Sequence, residues 1–478
     1  MLILQLLFHL LNPGFKILIM KKKTITYILF VLMILTTSCA VTKSYQAPTV
    51  GTQNLYRDSS SSDTSNMANL HWTEIFSDTL LQNLIQEGIS QNLNLKIAYS
   101  RIQQSQAYFE QSRLAFLPNL SADASTLNGK LSSNSTTSTN THRYQVGVNA
   151  SWEADLWGKY KSSKRAMQAN LLQTEAYYRA VQTDLVAAIA NYYYTLLGLD
   201  QELTITQQSV KNWIATVDMM KDLKTADVVT EAAVVQSEAS RYAVDVTIPD
   251  LKQSIRQVEN ALSILLGRVP GAIKRGTVFE QKSGTLLSTG VPAQLLSNRP
   301  DVQAAELNFR YNFELTNVAR SYFYPSLTIS ASGGFSGLSI SSLFNPTSLI
   351  GNIAAGLTQP VFNQGINKAR LKVAQAGQQQ ALLGFQNALL TAGQEVSDDI
   401  SSYKSTFEKT NLRDSQIVNL QKAVEYTQLL VRYSSANYTE VLTAQQSLLS
   451  AQLNQVNDRL QQLQAIVNLY RDLGGGWK

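Results

Sequence analysis

Between Tyr144 and Tyr160 the chain changes its period. Tyr144, Val146, Val148, Ala150 and Trp152 alternate with Gln145, Gly147, Asn149 and Ser151, the repeat of a strand with one apolar and one polar face. After Glu153 the spacing becomes helical and stays helical to about Leu223. At 1.5 Å per residue that helix is about 100 Å long, far more than a globular core needs. A similar passage comes about 205 residues later, at Gln359-Pro360-Val361-Phe362-Asn363-Gln364-Gly365. A strand that runs straight into a very long helix, twice in one chain, leaves few architectures open.

The rest of the chain repeats the same plan. Short alternating segments at about 119–126 and 144–152 are separated by a Ser/Thr/Asn-rich loop, and a second pair falls at about 326–335 and 351–359. Pro118 and Pro325 lie 207 residues apart, and Thr230-Glu231 and Thr439-Glu440 lie 209 apart. Two structural repeats explain these offsets. Each runs helix, strand, loop, strand, long helix, break, helix. Asp78 is set to cap the first helix, which runs on to about Phe116. A break at Thr225–Thr230 precedes a return helix to about Leu266. In the second repeat, helix 296–323 leads to the strand pair, helix 362–431 follows, and a break at Ser434–Asn437 precedes a return helix from Tyr438 to about Leu473. Leu185, Ile189, Tyr192, Leu196, Leu199 and Leu203 form one heptad seam, and Leu442, Leu449, Leu453, Val456, Leu460 and Leu463 begin another.

Composition agrees with long helices and argues against a set of enzyme domains: only 15% of residues are charged and there are 10 prolines. The net charge of +6 is misleading. Lys16, Lys21, Lys22 and Lys23 lie in residues 1–38, which contain no acid, so the remainder carries about +2. Nothing here points to nucleic acid. One cysteine, Cys39, excludes a disulfide framework, and His9, His71 and His142 are too scattered to build a metal centre. No cofactor is implied. Lys21–Lys23, an apolar run from Ile25 to Leu35, and Thr36-Thr37-Ser38 before Cys39 describe a secretory leader too short to span a membrane. Met20 is its natural start, and residues 1–19 read as an upstream extension. The cysteine at the end of the apolar run resembles a bacterial lipoprotein signal, with Cys39 as the lipidated residue. Thr36 stands where such signals usually carry Leu. Residues 39–70 are polar and read as an extended, lipid-anchored tether.

Four strands cannot close a barrel, and open edges cannot sit in lipid. Narrow apolar seams on helices near 100 Å long must also pack sideways. One arrangement meets both demands: a cyclic oligomer with a shared barrel above a shared helical tube. The junction residues Trp152, Asp155, Trp157, Gly158, Pro360 and Phe362 then join the two parts. Trp152 and Trp157 read as aromatics at the membrane rim, and Gly158 as relief of crowding where the chain enters the tube.

The motifs also resemble those of the TolC-like outer-membrane factors of tripartite efflux systems, in particular the lipoprotein branch that works with RND-type pumps. The segments that carry the resemblance are Ser151-Trp152-Glu153-Ala154-Asp155-Leu156-Trp157-Gly158, Glu259-Asn260-Ala261-Leu262, Leu296-Ser297-Asn298-Arg299-Pro300-Asp301-Val302, Tyr324-Pro325-Ser326, Gln359-Pro360-Val361-Phe362 and the terminal Leu473-Gly474-Gly475-Gly476-Trp477. They cover about 70–478 in order. The resemblance implies a mixed, mainly α fold. Long coiled-coil-like helices form a periplasmic tunnel, and four strands per chain join a twelve-stranded transmembrane barrel in a homotrimer. Residues 71–270 and 296–478 are the two repeats, with 271–295 as an irregular equatorial segment. It further implies a place in the bacterial outer membrane, contact with outer-membrane lipid, and partnership with a periplasmic adaptor (a membrane fusion protein) and an inner-membrane pump. In the family the periplasmic end closes near the last helix break, where acids point inward. Glu440 is the acid present there, Thr443 stands where Asp is common, and Asp227 and Glu231 are the first-repeat counterparts.

The residues thus describe a passive export duct. No phosphate loop and no nucleophile–base set is legible, and Asp155, Asp301 and Glu306 read as structural acids. Arg299-Pro300-Asp301 reads as a helix start, with Pro in the first turn and Asp at the positive end of the dipole. A type I secretion channel, or a lipid-anchored helical scaffold that does not span the membrane, is the alternative. A scaffold leaves the four alternating segments and the double junction unexplained.

Overall fold

A computed structural model describes residues 41–51, 55–57, 65–131, 139–281, 292–433 and 437–478. Cys39, the leader, and Ser434–Ala436 of the second helix break lie outside the described residues. The elements, in order, are α1 (Thr79–Gln91), α2 (Leu93–Leu114), β1 (Asn119–Leu131), β2 (Thr139–Ala154), α3 (Lys159–Thr225), α4 (Glu231–Asp245), α5 (Thr247–Leu265), α6 (Pro300–Ser321), β3 (Ser326–Gly337), β4 (Leu349–Thr358), α7 (Ile366–Arg432) and α8 (Tyr438–Asp472). Short helical turns at Trp72–Ile75 and Leu295–Asn298 precede α1 and α6.

The strands form one antiparallel sheet in the order β1-β2-β3-β4. Its register sorts the alternation into two faces. Ala122 pairs with Val148, Val148 with Gly333, and Ala150 with Leu120 and Ala331. Trp152 pairs with Ile329, and Ile329 with Ala355. Opposite residues of an antiparallel pair share a face, so one face carries Leu, Ala, Val, Ile and Trp. The other carries Ser121, Asn149, Ser332 and Asn352 in one row. β1 and β4 end the sheet. No strand pairs with their outer edges among the described residues.

The two longest helices, α3 and α7, each run 67 residues. Each starts from a glycine in the left-handed region, Gly158 at φ 73° and Gly365 at φ 79°. These glycines lie 207 residues apart, which fixes the register of the repeat. Trp157 therefore corresponds to Gln364, and the spacing of about 205 residues read from the sequence is two residues short.

The main apolar core sits at the waist, where Phe76, Leu81 and Ile85 meet Ile189, Tyr193 and Leu196 of α3 and Leu469 and Tyr470 of α8. Smaller clusters lie further along the tube. One centres on Trp213, Val244, Leu442 and Leu449, and another on Met220, Val234, Val431 and Val441. The seam on α8 is buried at Leu442, Leu449, Val456, Leu463 and Tyr470. On α3 the seam differs from expectation: Tyr192 is exposed, whereas Tyr193 and Tyr194 are buried. α3 packs against α1, α2, α4, α5, α6 and α8, so its buried surface is broader than one heptad stripe. Two helices expected to be continuous are broken, at Asn92 and at Val246.

The N-terminal segment also departs from expectation. Residues 41–57, where described, lie on the body and do not stand away from it. The Lys43 N–H donates to Asn317 Oδ1 and Asn317 Nδ2 donates to the Lys43 carbonyl, both at 3.0 Å. Tyr45 packs against Phe309 and Phe313, Tyr56 is buried, and Leu55 fills the space beside Gly393. These few apolar anchors, set in a polar stretch, hold the strap.

Candidate functional site

The place where sheet becomes helix is built by side chains that bond to backbone carbonyls freed at helix ends. α2 ends before Phe116 and α6 before Phe323. Trp152 Nε1 donates to the Phe116 carbonyl at 2.8 Å, and Gln359 Nε2 donates to the Phe323 carbonyl at 3.1 Å. Donor and acceptor in each bond are displaced by 207 residues, so this is one bond made twice. Two further donors close the turn after α6. Trp157 Nε1 bonds the Pro325 carbonyl at 2.7 Å, with its ring 5.1 Å from that of Tyr324, and Asn367 Nδ2 bonds the Tyr322 carbonyl at 2.7 Å.

Asp155 fixes the start of α3. Its Oδ1 accepts from the Tyr160 N–H at 3.1 Å and its Oδ2 from the Lys161 N–H at 2.8 Å, two of the donors that a helix start leaves unpaired. Gly158 supplies the left-handed conformation that turns the chain into the helix. The Thr42 side chain also lies 3.3 Å from where a Cβ would stand at Gly158. Backbone conformation is thus the main reason for glycine here, and crowding the second. Lys159 Nζ bonds both oxygens of Glu153, at 2.7 and 2.8 Å, and faces the rings of Tyr160 and Tyr322. Burial acts to lower the Lys159 ammonium, but its bonds to Glu153 outweigh burial and hold it above its ordinary value. Pro360 and Phe362 behave differently. Both are exposed, Phe362 at 86% and its neighbour Val361 at 96%, so nothing among the described residues covers this second junction.

At the far end of the helices, Glu440 lies in the first turn of α8 and is exposed, as is Thr443, whose hydroxyl returns to the Thr439 carbonyl. Asp227 holds a left-handed conformation at φ 59° in the break after α3. Glu231 pairs with Lys224. Val234 packs with Val431 and Val441, and the Tyr438 hydroxyl donates to Gln236 Oε1 at 3.1 Å, so the two breaks and the four residues singled out from the sequence lie at one end of the helices, remote from the junction.

Arg299 was legible in the sequence only as part of a helix start. The structure buries it and makes it a hub. It bonds Asp301 at 2.6 and 3.0 Å, Glu395 of α7 at 2.6 Å and the Asp472 carbonyl at the end of α8 at 3.2 Å. Burial would raise the Asp301 carboxyl, but its bonds to Arg299 prevail and hold it below its ordinary value. The C-terminal glycines close on the same turn. At Gly474, φ 92°, a Cβ would meet the Asn298 carbonyl, to which Trp477 Nε1 also donates at 3.2 Å. Trp477 and Asn298, 179 residues apart, thus belong to one joint, and no spacing rule in the sequence connects their two motifs.

Each chain thus joins a sheet with one apolar face, unpaired at both edges among the described residues, to helices of about 100 Å. The profile described as outer membrane efflux protein matches residues 84–268 and 291–475, one match for each repeat. The chain belongs to that family. The cation efflux system protein CusC of Escherichia coli O6:H1 is 27% identical over 451 residues, which cover 92% of this chain and 96% of CusC. The solvent efflux pump outer membrane protein SrpC of Pseudomonas putida is 28% identical over 84% of this chain and 87% of its own length. Among solved structures, the outer-membrane channel OprN superposes with a TM-score of 0.84 at 24% identity, covering 92% of this chain and all of OprN. That likeness concerns the fold. As a member of the outer membrane efflux proteins, the chain is an outer-membrane channel protein of mainly helical fold, with its helices on the periplasmic side.

Proposed function

We propose that three copies of this chain close a twelve-stranded barrel and a helical tunnel, and that the assembly is the passive exit duct of a tripartite efflux system. A periplasmic adaptor and an RND-type inner-membrane pump complete it and supply the energy. The observation that carries this reading is the pair of open edges on β1 and β4 beside an apolar sheet face. In lipid such edges must be paired, and only further copies offer matching strands. Uncovered apolar side chains support the same conclusion, notably Val361 and Phe362 at the junction and Val373, Leu383 and Leu390 on α7. The relatives named above serve unlike cargo, cations in one case and solvents in the other, at similar identity. We therefore assign cargo choice to the pump.

Lipidation at Cys39 fits the position of the strap. Thr42 lies against Gly158 at the sheet–helix junction, and three residues can reach only about 10 Å from it. An acyl chain on Cys39 would then enter the leaflet beside the base of the barrel. Loss of labelled fatty acid in Cys39→Ser supports this, and retained label refutes it. At the other end, Glu440 repeated around a threefold axis makes an acidic ring that attracts cations, flanked by Thr443 and Asp227. Glu231 adds less charge because Lys224 offsets it.

Planar-bilayer recording tests the duct. Purified protein should open discrete pores, and Glu440→Ala should raise single-channel conductance or lower cation selectivity. Protein that inserts without conducting would sink the duct reading. A variant identical to the parent in both respects would remove Glu440 from the aperture while leaving the duct intact.

A further inference from the structure

The joint around Arg299 carries more acid than its structural role requires. Four elements converge there. α3 brings Asp184, the start of α6 brings Arg299 and Asp301, α7 brings Glu395 and Asp399, and α8 ends with Arg471 and Asp472. Among the described residues these are five carboxyl groups against two guanidiniums.

Ion pairs to the two guanidiniums take three of these acids and leave two, Asp184 and Asp399. Arg299 takes Asp301 and Glu395. Arg471 forks onto Asp472 with bonds of 2.6 and 3.0 Å, and Asp472 is 3% exposed. Among the described residues Asp399 has no guanidinium of its own. Its carboxyl abuts that of Asp472, and its Oδ2 is buried without a hydrogen-bond partner among the described residues. Two ionised carboxylates offer only acceptors to each other, so that contact is a bond only when one of them holds a proton. Both Asp472 oxygens already accept from Arg471, which leaves Asp399 as the donor.

We propose that Asp399 and Asp472 share one proton, and that this proton is part of a lock that holds the end of α8 against α7 at the waist. When the proton leaves, two adjacent carboxylates face each other with a third nearby at Glu395, and Arg471 is the guanidinium that opposes them among the described residues. Burial first, and then the bond and charge of Asp472, push the Asp399 carboxyl up to about 8. The sign of the pH effect follows. The folded chain holds a proton that the unfolded chain gives up in the ordinary carboxylate range. The stabilising contribution is therefore complete below that range, and is lost as pH rises towards about 8.

Melting temperatures of the full chain in detergent, taken from pH 5 to pH 9, test the proposal. The parent should lose stability across that window, and Asp399→Asn, which mimics the protonated acid, should lose less, so that the difference between the two curves bends near pH 8. Parallel curves would overturn the proposal. If Asp399→Asn does not fold, Asp472→Asn serves: removing the neighbouring charge should move the midpoint acid-ward by on the order of one to two pH units, and an unmoved midpoint would count against sharing. Infrared spectra provide a readout that a merely structural aspartate would not move. A protonated-carboxyl band should be present in the parent at pH 7 and missing from Asp399→Asn, and its absence from the parent defeats the proposal.

Discussion

Gly158 and Gly365 hold equivalent places, yet substitutions there should not cost the same. Both need the left-handed conformation, which costs an L-residue about 1–2 kcal/mol. Around Gly365 nothing lies within 4 Å of a new Cβ, whereas at Gly158 the Thr42 side chain is 3.3 Å away. Gly365→Ala should therefore lose about 1–2 kcal/mol and Gly158→Ala more, with Gly365→Asn milder than Gly365→Ala because Asn visits this region more readily. Denaturation of the detergent-solubilised variants measures the order, and equal losses at the two sites would show that the Thr42 contact carries no weight. Much at this scale was legible in the sequence: Asp78 does cap α1, with its Oδ1 accepting from the Leu80 N–H at 2.8 Å. Partners distant in sequence were not legible. Arg299 and Glu395 are 96 residues apart and Trp157 and Pro325 are 168 apart, and no local pattern encodes such pairings.

Among elements, the sequence marked the strands and long helices well because their periods persist for many residues. It failed where one residue interrupts a period. Asn92 ends α1 and caps α2, its Oδ1 taking the Leu95 N–H, while its Nδ2 bonds the Leu265 carbonyl from another helix. That break is fixed by a tertiary contact. The break at Val246 did have a local signal: Pro249 lies in the first turn of α5, where proline is accepted, and it cannot continue an α4 helix. The strap was misread for a different reason. Its composition is that of a disordered tether, and a few anchors override it. The Asn317 amide pairs with both backbone groups of Lys43, as a neighbouring strand would. Asn317→Leu should then cost about 1–3 kcal/mol by leaving buried groups unpaired, and should raise the rate of proteolysis within residues 41–57. Cleavage at the parental rate would mean that Tyr45 and Tyr56 hold the strap unaided.

At the scale of the whole molecule, the sheet determines how copies must meet. β1 is thirteen residues long and β4 ten, lengths that suit a tilted membrane strand. If copies close a ring, the β4 edge of one meets the β1 edge of the next, antiparallel like every other pair in the sheet. Cys39 is the chain's one cysteine, so with Cys39→Ser as background, cysteines placed by mutation report only on this seam. One replaces Ser121 on β1, and a second is moved in turn to Asn352, Ala354 and Gly356 on β4, all on the polar face. Opposed cysteines on a shared face can bridge only when their Cα atoms come within about 7 Å. Oxidation should therefore yield covalent dimers and trimers at one position and fade two residues to either side. A ladder that stops at three copies fits a twelve-stranded barrel, since each copy brings four strands. A ladder that runs on past three would mean an open or larger ring, and no crosslink at any position would mean that these edges are covered by something other than a second copy.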